Sequence, residues 1–181
     1  MALLLTREAF HRGAEGQTQR YERIAGEPVA MAPERAQHVR LKNRIWAALD
    51  RVIREAGLDC EALGDGMTIE VDADTDYDPD ALVNCGPGVA PDATAAPKPV
   101  IVVEVLSPGT QSVDSGDKLA DYFRVPSIQH YLVVRTRRQE VIHYRRSGDE
   151  IISRAVNAGS IRLDPPRIVL DVAEVYGERT S

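Results

Sequence analysis

The chain has 181 residues, 43% of them apolar and 28% charged, with a formal net charge of -6. That length accommodates one well-packed domain rather than two ordinary ones, and the composition excludes a disordered chain. The acidic balance excludes a general attraction to polyanions, so nucleic-acid contact requires a local basic patch or a bound metal.

The apolar start, Met1 to Leu5, is interrupted by Arg7 and Glu8 before a signal-peptide core forms. No stretch approaches the ~20 apolar residues of a membrane span. A cytoplasmic protein is expected, with Cys60 and Cys85 as two reduced thiols rather than a disulfide framework.

Residues 1 to about 20 read as a short helix and a polar connection. Tyr21 to Met31 reads as a hairpin with Gly26 and Glu27 at its turn. Ala36 to Ala56 is the clearest helix. Leu41, Ile45, Leu49, Val52, Ile53 and Ala56 recur at three- and four-residue spacing and build one apolar face, and Gly57 stops the helix as a C′ residue. Met67 to Val71 is a strand candidate, followed by an acidic turn from Asp72 to Asp78. A second strand runs from Ala81 to Asn84, and residues 85–99 form a Gly-, Pro- and Ala-rich loop.

Val100 to Leu106 is nearly continuous apolar sequence, as in a central strand buried on both faces. Ser107-Pro108-Gly109-Thr110 ends it, and a short helix covers Ser115 to Arg124, with Leu119, Tyr122 and Phe123 packing inward. Gln129 to Arg135 and Glu140 to Tyr144 form two strands joined by a polar turn. Short extended pieces come next, then a helical turn at Val172 to Tyr176. The order of helices and strands predicts an α/β domain in which helices flank a central mixed β-sheet.

Glu104 is the anomaly, a carboxylate inside the most apolar strand of the chain. Buried without a partner it costs several kcal/mol, so it needs a cation or must stay protonated. Asp80 follows Pro79 at the start of the Ala81 strand. If the two strands are neighbours, both carboxylates meet and repel unless a divalent ion lies between them. Hard oxygen ligands suit magnesium or manganese. Lys118 and Tyr122 share a face of the following helix, which can fold back and bring the ammonium to the carboxylates. Asp114 is an alternative ion-pair partner for Lys118.

These residues carry a resemblance. The run Pro99-Val100-Ile101-Val102-Val103-Glu104-Val105-Leu106-Ser107-Pro108, with Asp114, Lys118, Tyr122 and Tyr131-Leu132-Val133-Val134, resembles the hallmark region of the Uma-two family of restriction-endonuclease-like proteins. Tyr21-Glu22, Gly26-Glu27, Met31-Ala32-Pro33, His38 and Pro79-Asp80 match upstream, so the resemblance spans about residues 3–176. It implies the PD-(D/E)xK restriction-endonuclease-like fold as a single domain over residues 1–181, with its core at about 20–176. The usual motif lysine, two residues after the glutamate, is Leu106 here, and the resemblance moves that role to Lys118. It also offers Glu27 as an additional acidic ligand.

The activity implied by the resemblance is metal-dependent hydrolysis of DNA phosphodiesters. Asp80, Glu104 and the Val105 carbonyl would hold Mg2+ or Mn2+, and Lys118 would orient or deprotonate a water. His38, Arg40 and Arg44 are candidates for substrate phosphates, with Arg35, Lys42, Arg137 and Arg138 as further cations. A homodimer is expected by analogy with enzymes that cut both strands. The main alternative is a nuclease-fold binding or assembly module with a weak or inactive site. A sugar- or ester-cleaving enzyme is disfavoured, because no Ser-His-Asp or Cys-His set is present and aromatic residues are only 5%.

Overall fold

The computed structural model of the protein describes residues 4–106 and 115–177. The strand-ending turn at Ser107 to Thr110 and the candidate partner Asp114 lie outside the described residues.

Helix α1 (Arg7–Ala14) is capped by Thr6, whose hydroxyl accepts from the Ala9 amide. Strands β1 (Tyr21–Ile24) and β2 (Glu27–Ala30) form the expected hairpin. Its turn is one residue earlier than the sequence suggests. Ala25 and Gly26 both have positive φ (50° and 80°), the backbone that closes a two-residue hairpin, so Glu27 already belongs to β2.

Helix α2 (Ala36–Glu55) buries Leu41, Ile45, Ala48, Leu49, Val52 and Ile53, the face set by the sequence periodicity. It ends at Ala56, and Gly57 takes the left-handed conformation expected of a C′ glycine. Strands β3 (Cys60–Gly64), β4 (Ile69–Glu70), β5 (Asp76–Tyr77), β6 (Ala81–Cys85) and β7 (Pro99–Leu106) follow. β3 is not predicted from sequence, because Cys60-Glu61-Ala62-Leu63-Gly64 carries no strong β-formers. β5 forms inside the segment expected to be an acidic turn, since Asp76 is buried against arginines instead of facing solvent.

After β7 come α3 (Ser115–Tyr122), β8 (His130–Arg135), β9 (Val141–Ser147), β10 (Glu150–Val156), β11 (Ser160–Leu163), β12 (Ile168–Asp171) and α4 (Val172–Tyr176). The main sheet has six strands in the order β10-β9-β8-β7-β6-β3. Only β7 and β8 are parallel, and α3 lies in the crossover that such a pair requires. This is the mixed sheet with flanking helices that the sequence predicts.

Side chains alternate across the sheet and divide the core in two. Ile101, Val103 and Val105 pack under α2, α4 and the β11–β12 hairpin. Val102 faces the other way, toward Tyr77, Tyr122, Phe123 and Tyr131. A second sheet, ordered β2-β1-β5-β4, lies with α3 on that side. There Arg23, fully buried, donates from Nε to Asp76 at 2.8 Å, and Arg7 reaches the same carboxylate.

The cysteines depart from the expectation of two free thiols. Cys60 and Cys85 lie directly opposite each other on antiparallel β3 and β6 and are joined by a disulfide. A spacing of 25 residues does not reveal the pairing, because the register that apposes them is set by the sheet. Among the described residues, no helix is long and apolar enough to cross a membrane.

Candidate functional site

The central strand β7 is buried along its length except at Leu106, so Glu104 sits where an apolar side chain would be cheapest. Its neighbour β6 runs antiparallel, with Ala81 opposite Val103. That register brings Asp80, one residue before β6, to the level of Glu104. Asp80 is fixed there by a hydrogen bond of 2.6 Å, donated by the Val105 amide to its Oδ2.

Lys118 reaches the site from α3. Its ammonium donates to Glu104 Oε1 at 3.2 Å and to Glu22 Oε1 at 2.8 Å, and lies 4.9 Å above the ring centre of Tyr77. Tyr122, one helical turn further, donates its hydroxyl to the same Glu104 oxygen at 2.7 Å. The helix face predicted for Lys118 and Tyr122 therefore converges on one carboxylate.

The electrostatics follow from burial. Burial pushes the Glu104 carboxyl up to about 7. The Lys118 ammonium opposes that rise, while Asp80 and Glu22 add to it. Burial also raises Glu22, against the pull of Lys118. For Lys118, burial disfavours the charge, but Glu104 and Glu22 outweigh it and hold the group well above the usual lysine range. In this arrangement Lys118 is an ammonium at any physiological pH, which suits it to electrostatic work and not to proton abstraction.

His38, from the first turns of α2, lies on the other side of Asp80. Its Nε2 is hydrogen-bonded to Asp80 Oδ1 at 3.1 Å and lies 3.9 Å from Glu34 Oε1. Burial works against its charge, but the bond to Asp80 prevails and raises its pKa. Ligand atoms of Glu34, His38 and Asp80 all lie within 4.8 Å of one another, close enough to share one cation. Glu34 is also bound at 2.6 Å by Lys42, whose ammonium bridges to Asp65 at 2.7 Å.

Glu22 and Glu34 line one cavity of about 200 Å³, together with Ile24, Val29, Met31, Asp78 and Leu106. Asp80, Glu104, Val105, Lys118 and His38 all reach it. Glu27 does not. It is exposed on β2, and the hairpin's glutamate in the cavity is Glu22. Sequence reasoning misses Glu22 because a charged residue in a short hairpin strand usually faces solvent. Strand alternation, which puts Glu22 on the same side as Ile24, is the available signal. Glu34 is likewise missed. Arg40 is exposed and outside the cavity, and Arg44 donates at 2.8 Å to the Tyr176 carbonyl, away from the carboxylates. Arg138 pairs with Glu140, while Arg35 sits at the N-cap of α2.

The sequence model of the Uma2 family, described as "Putative restriction endonuclease", matches residues 7–173. The chain belongs to this family. Two relatives of the Uma2 chain come from Synechocystis sp. (strain ATCC 27184 / PCC 6803 / Kazusa). Uncharacterized protein slr1290 is 31% identical over 150 residues, covering 80% of this chain and 76% of the relative. Uncharacterized protein sll1609 is 26% identical over 148 residues, covering 81% and 83%. A crystal structure from Anabaena variabilis ATCC 29413, described as "a putative nuclease belonging to DUF820", superposes with a TM-score of 0.73. It covers 96% of this chain and 98% of its own at 14% identity, a likeness of fold. Family and fold thus place the Uma2 chain among nuclease-like proteins.

Proposed function

We propose that this Uma2 chain is a single restriction-endonuclease-like domain that hydrolyses DNA phosphodiester bonds with the help of Mg2+ or Mn2+. The observation that carries the reading is charge. Three carboxylates, Glu22, Asp80 and Glu104, each with side chains no more than 10% exposed, converge on one ammonium and one histidine. Carboxylate oxygens in excess of the local cations form a hard, anionic donor set that fits a small divalent ion.

In this reading Asp80, Glu104 and the Val105 carbonyl would hold the ion, with Glu34 beside Asp80 and Glu22 joined to Glu104 through Lys118. When bound, it would supply a more acidic water and neutralise charge on the phosphate. Lys118 steadies the attacking water and the charge that grows on the phosphoryl oxygens. Tyr122 orients Glu104, and the Val105 amide and His38 orient Asp80. His38 faces the cavity and is the one predicted phosphate contact that does so. A homodimer completes the reading, and light scattering of the purified chain checks the assembly.

The test is incubation of supercoiled plasmid with Mg2+ or Mn2+, using wild type, Glu104→Ala and Lys118→Ala. Metal-dependent nicking that both substitutions abolish supports the proposal. Nicking that persists unchanged in both sinks it. A second reading, a nuclease-fold binding or assembly module, is favoured by the net charge of -6. Calorimetric titration separates the two, since a binding module needs no Mg2+ affinity that Glu104→Ala removes.

A further inference from the structure

The sheet carries a second charged cavity on the face opposite Glu104. Val141 packs with the α2 layer, so His143 and Arg145, two and four residues along β9, point to that side. The cavity is about 380 Å³ and is lined by His143, Arg145, Ile152, Arg154, Arg162 and Asp164. Across the β9–β10 ladder Arg154 is opposite His143 and Ile152 is opposite Arg145. Arg145 and Arg154 are therefore diagonal neighbours on one face. Arg162 joins them from β11.

The arginines here outnumber the one acid beside them. Among the described residues, no carboxylate forms an ion pair with Arg145, Arg154 or Arg162, whereas Arg7, Arg20, Arg23, Arg51, Arg54 and Arg124 all have one. Asp164, the one acid on the lining, lies 3.8 Å from Arg167. The floor is His143, buried and bonded at 2.9 Å to the buried His130. Burial lowers both imidazoles to about 4; at His130, Asp164 opposes the fall, and the Arg145 charge adds to it at both. Three like charges thus surround a neutral floor in a protein that is acidic overall. Such an arrangement is unfavourable without a counter-anion, and guanidinium forks match tetrahedral oxyanions in geometry as well as charge.

We propose that Arg145, Arg154 and Arg162 form a phosphate-binding site, separate from the Glu104 cavity and independent of the nuclease reading. A free phosphate and a backbone phosphate of a nucleic-acid strand present the same oxygens. β10 is the edge of the sheet, so a strand passing that edge has access as well as a small ion.

Calorimetric titration of the full chain in EDTA decides the matter, with sodium pyrophosphate in one arm and a short single-stranded DNA without terminal phosphate in the other. EDTA keeps metal-dependent binding and cleavage out of the result. The variants are Arg145→Ser/Arg154→Ser and, separately, Arg162→Ser. All three side chains belong to exposed residues and their removal relieves like-charge repulsion, so no fall in thermal midpoint is expected. Wild type should bind, and the double variant should bind about ten-fold more weakly or worse. Pyrophosphate binding lost in the variants identifies a free phosphate as a ligand. Binding of DNA alone, lost in the variants, identifies the strand. No binding of either probe, or equal binding by wild type and both variants, overturns the proposal.

Discussion

Replacing Lys118 with methionine keeps most of the side-chain volume and removes the charge. The Lys118 side chain is 12% exposed and its ammonium is bonded to Glu22 at 2.8 Å and Glu104 at 3.2 Å, so its loss strands two buried carboxylates beside Asp80. Removing one partner of a buried ion pair costs about 3–5 kcal/mol. The lower end, about 3 kcal/mol, applies here because Glu104 escapes part of the penalty by taking a proton. For a chain of this size that is a fall of about 6–12 °C in thermal midpoint. The pH dependence is the sharper readout. Burial raises the Glu104 pKa to about 7 even with Lys118 opposing it, and without Lys118 it rises further. The variant's deficit should therefore be largest above neutrality, where Glu104 is forced to ionise, and shrink on acidification. Thermal unfolding in metal-free buffer across that range measures it. Equal stability of variant and wild type at alkaline pH, or a deficit that grows on acidification, refutes the reasoning.

Two further outcomes concern buried polar groups away from the Glu104 cavity. Asp76→Asn leaves Arg23, whose side chain is 0% exposed, without its buried counter-charge, with only the exposed Asp74 at 3.9 Å. A loss of about 3–5 kcal/mol is expected in urea unfolding, and a loss below about 1 kcal/mol would mean that the pair does not organise the hairpin sheet. The His130–His143 pair sets a dependence of the opposite sign to that of Glu104. Both imidazoles fall from 6.5 to about 4 on folding, so the unfolded chain binds more protons between those values. Their contribution is complete above 6.5 and is lost as pH falls toward 4. One imidazole accounts for about 2 kcal/mol between pH 7 and pH 5. Wild type should lose at least that much more stability over the interval than the His130→Gln/His143→Gln variant, a comparison in which the Glu104 contribution cancels. Parallel pH profiles for the two proteins would exclude the assignment.

The sequence by itself determined the central strand, the long amphipathic helix and the place of Glu104. Each is encoded by local pattern: an unbroken apolar run, a 3.6-residue periodicity, and a carboxylate that no apolar strand tolerates alone. The pairing of Lys118 and Tyr122 on one helix face was legible for the same reason. What only the tertiary structure decided depends on register between distant segments. Glu22 reaches Lys118 across 96 residues, and its alternation with Ile24 is the one local sign that it faces inward. Glu27 lies opposite Ile24 at the turn end of the hairpin, exposed and beyond the cavity lining, a position set by where the turn closes. The same dependence on register hid the Cys60–Cys85 disulfide and gathered Arg145, Arg154 and Arg162 around one cavity. Local sequence fixes which side chains share a face of one element, but not which faces meet, because that is set by how the strands pair.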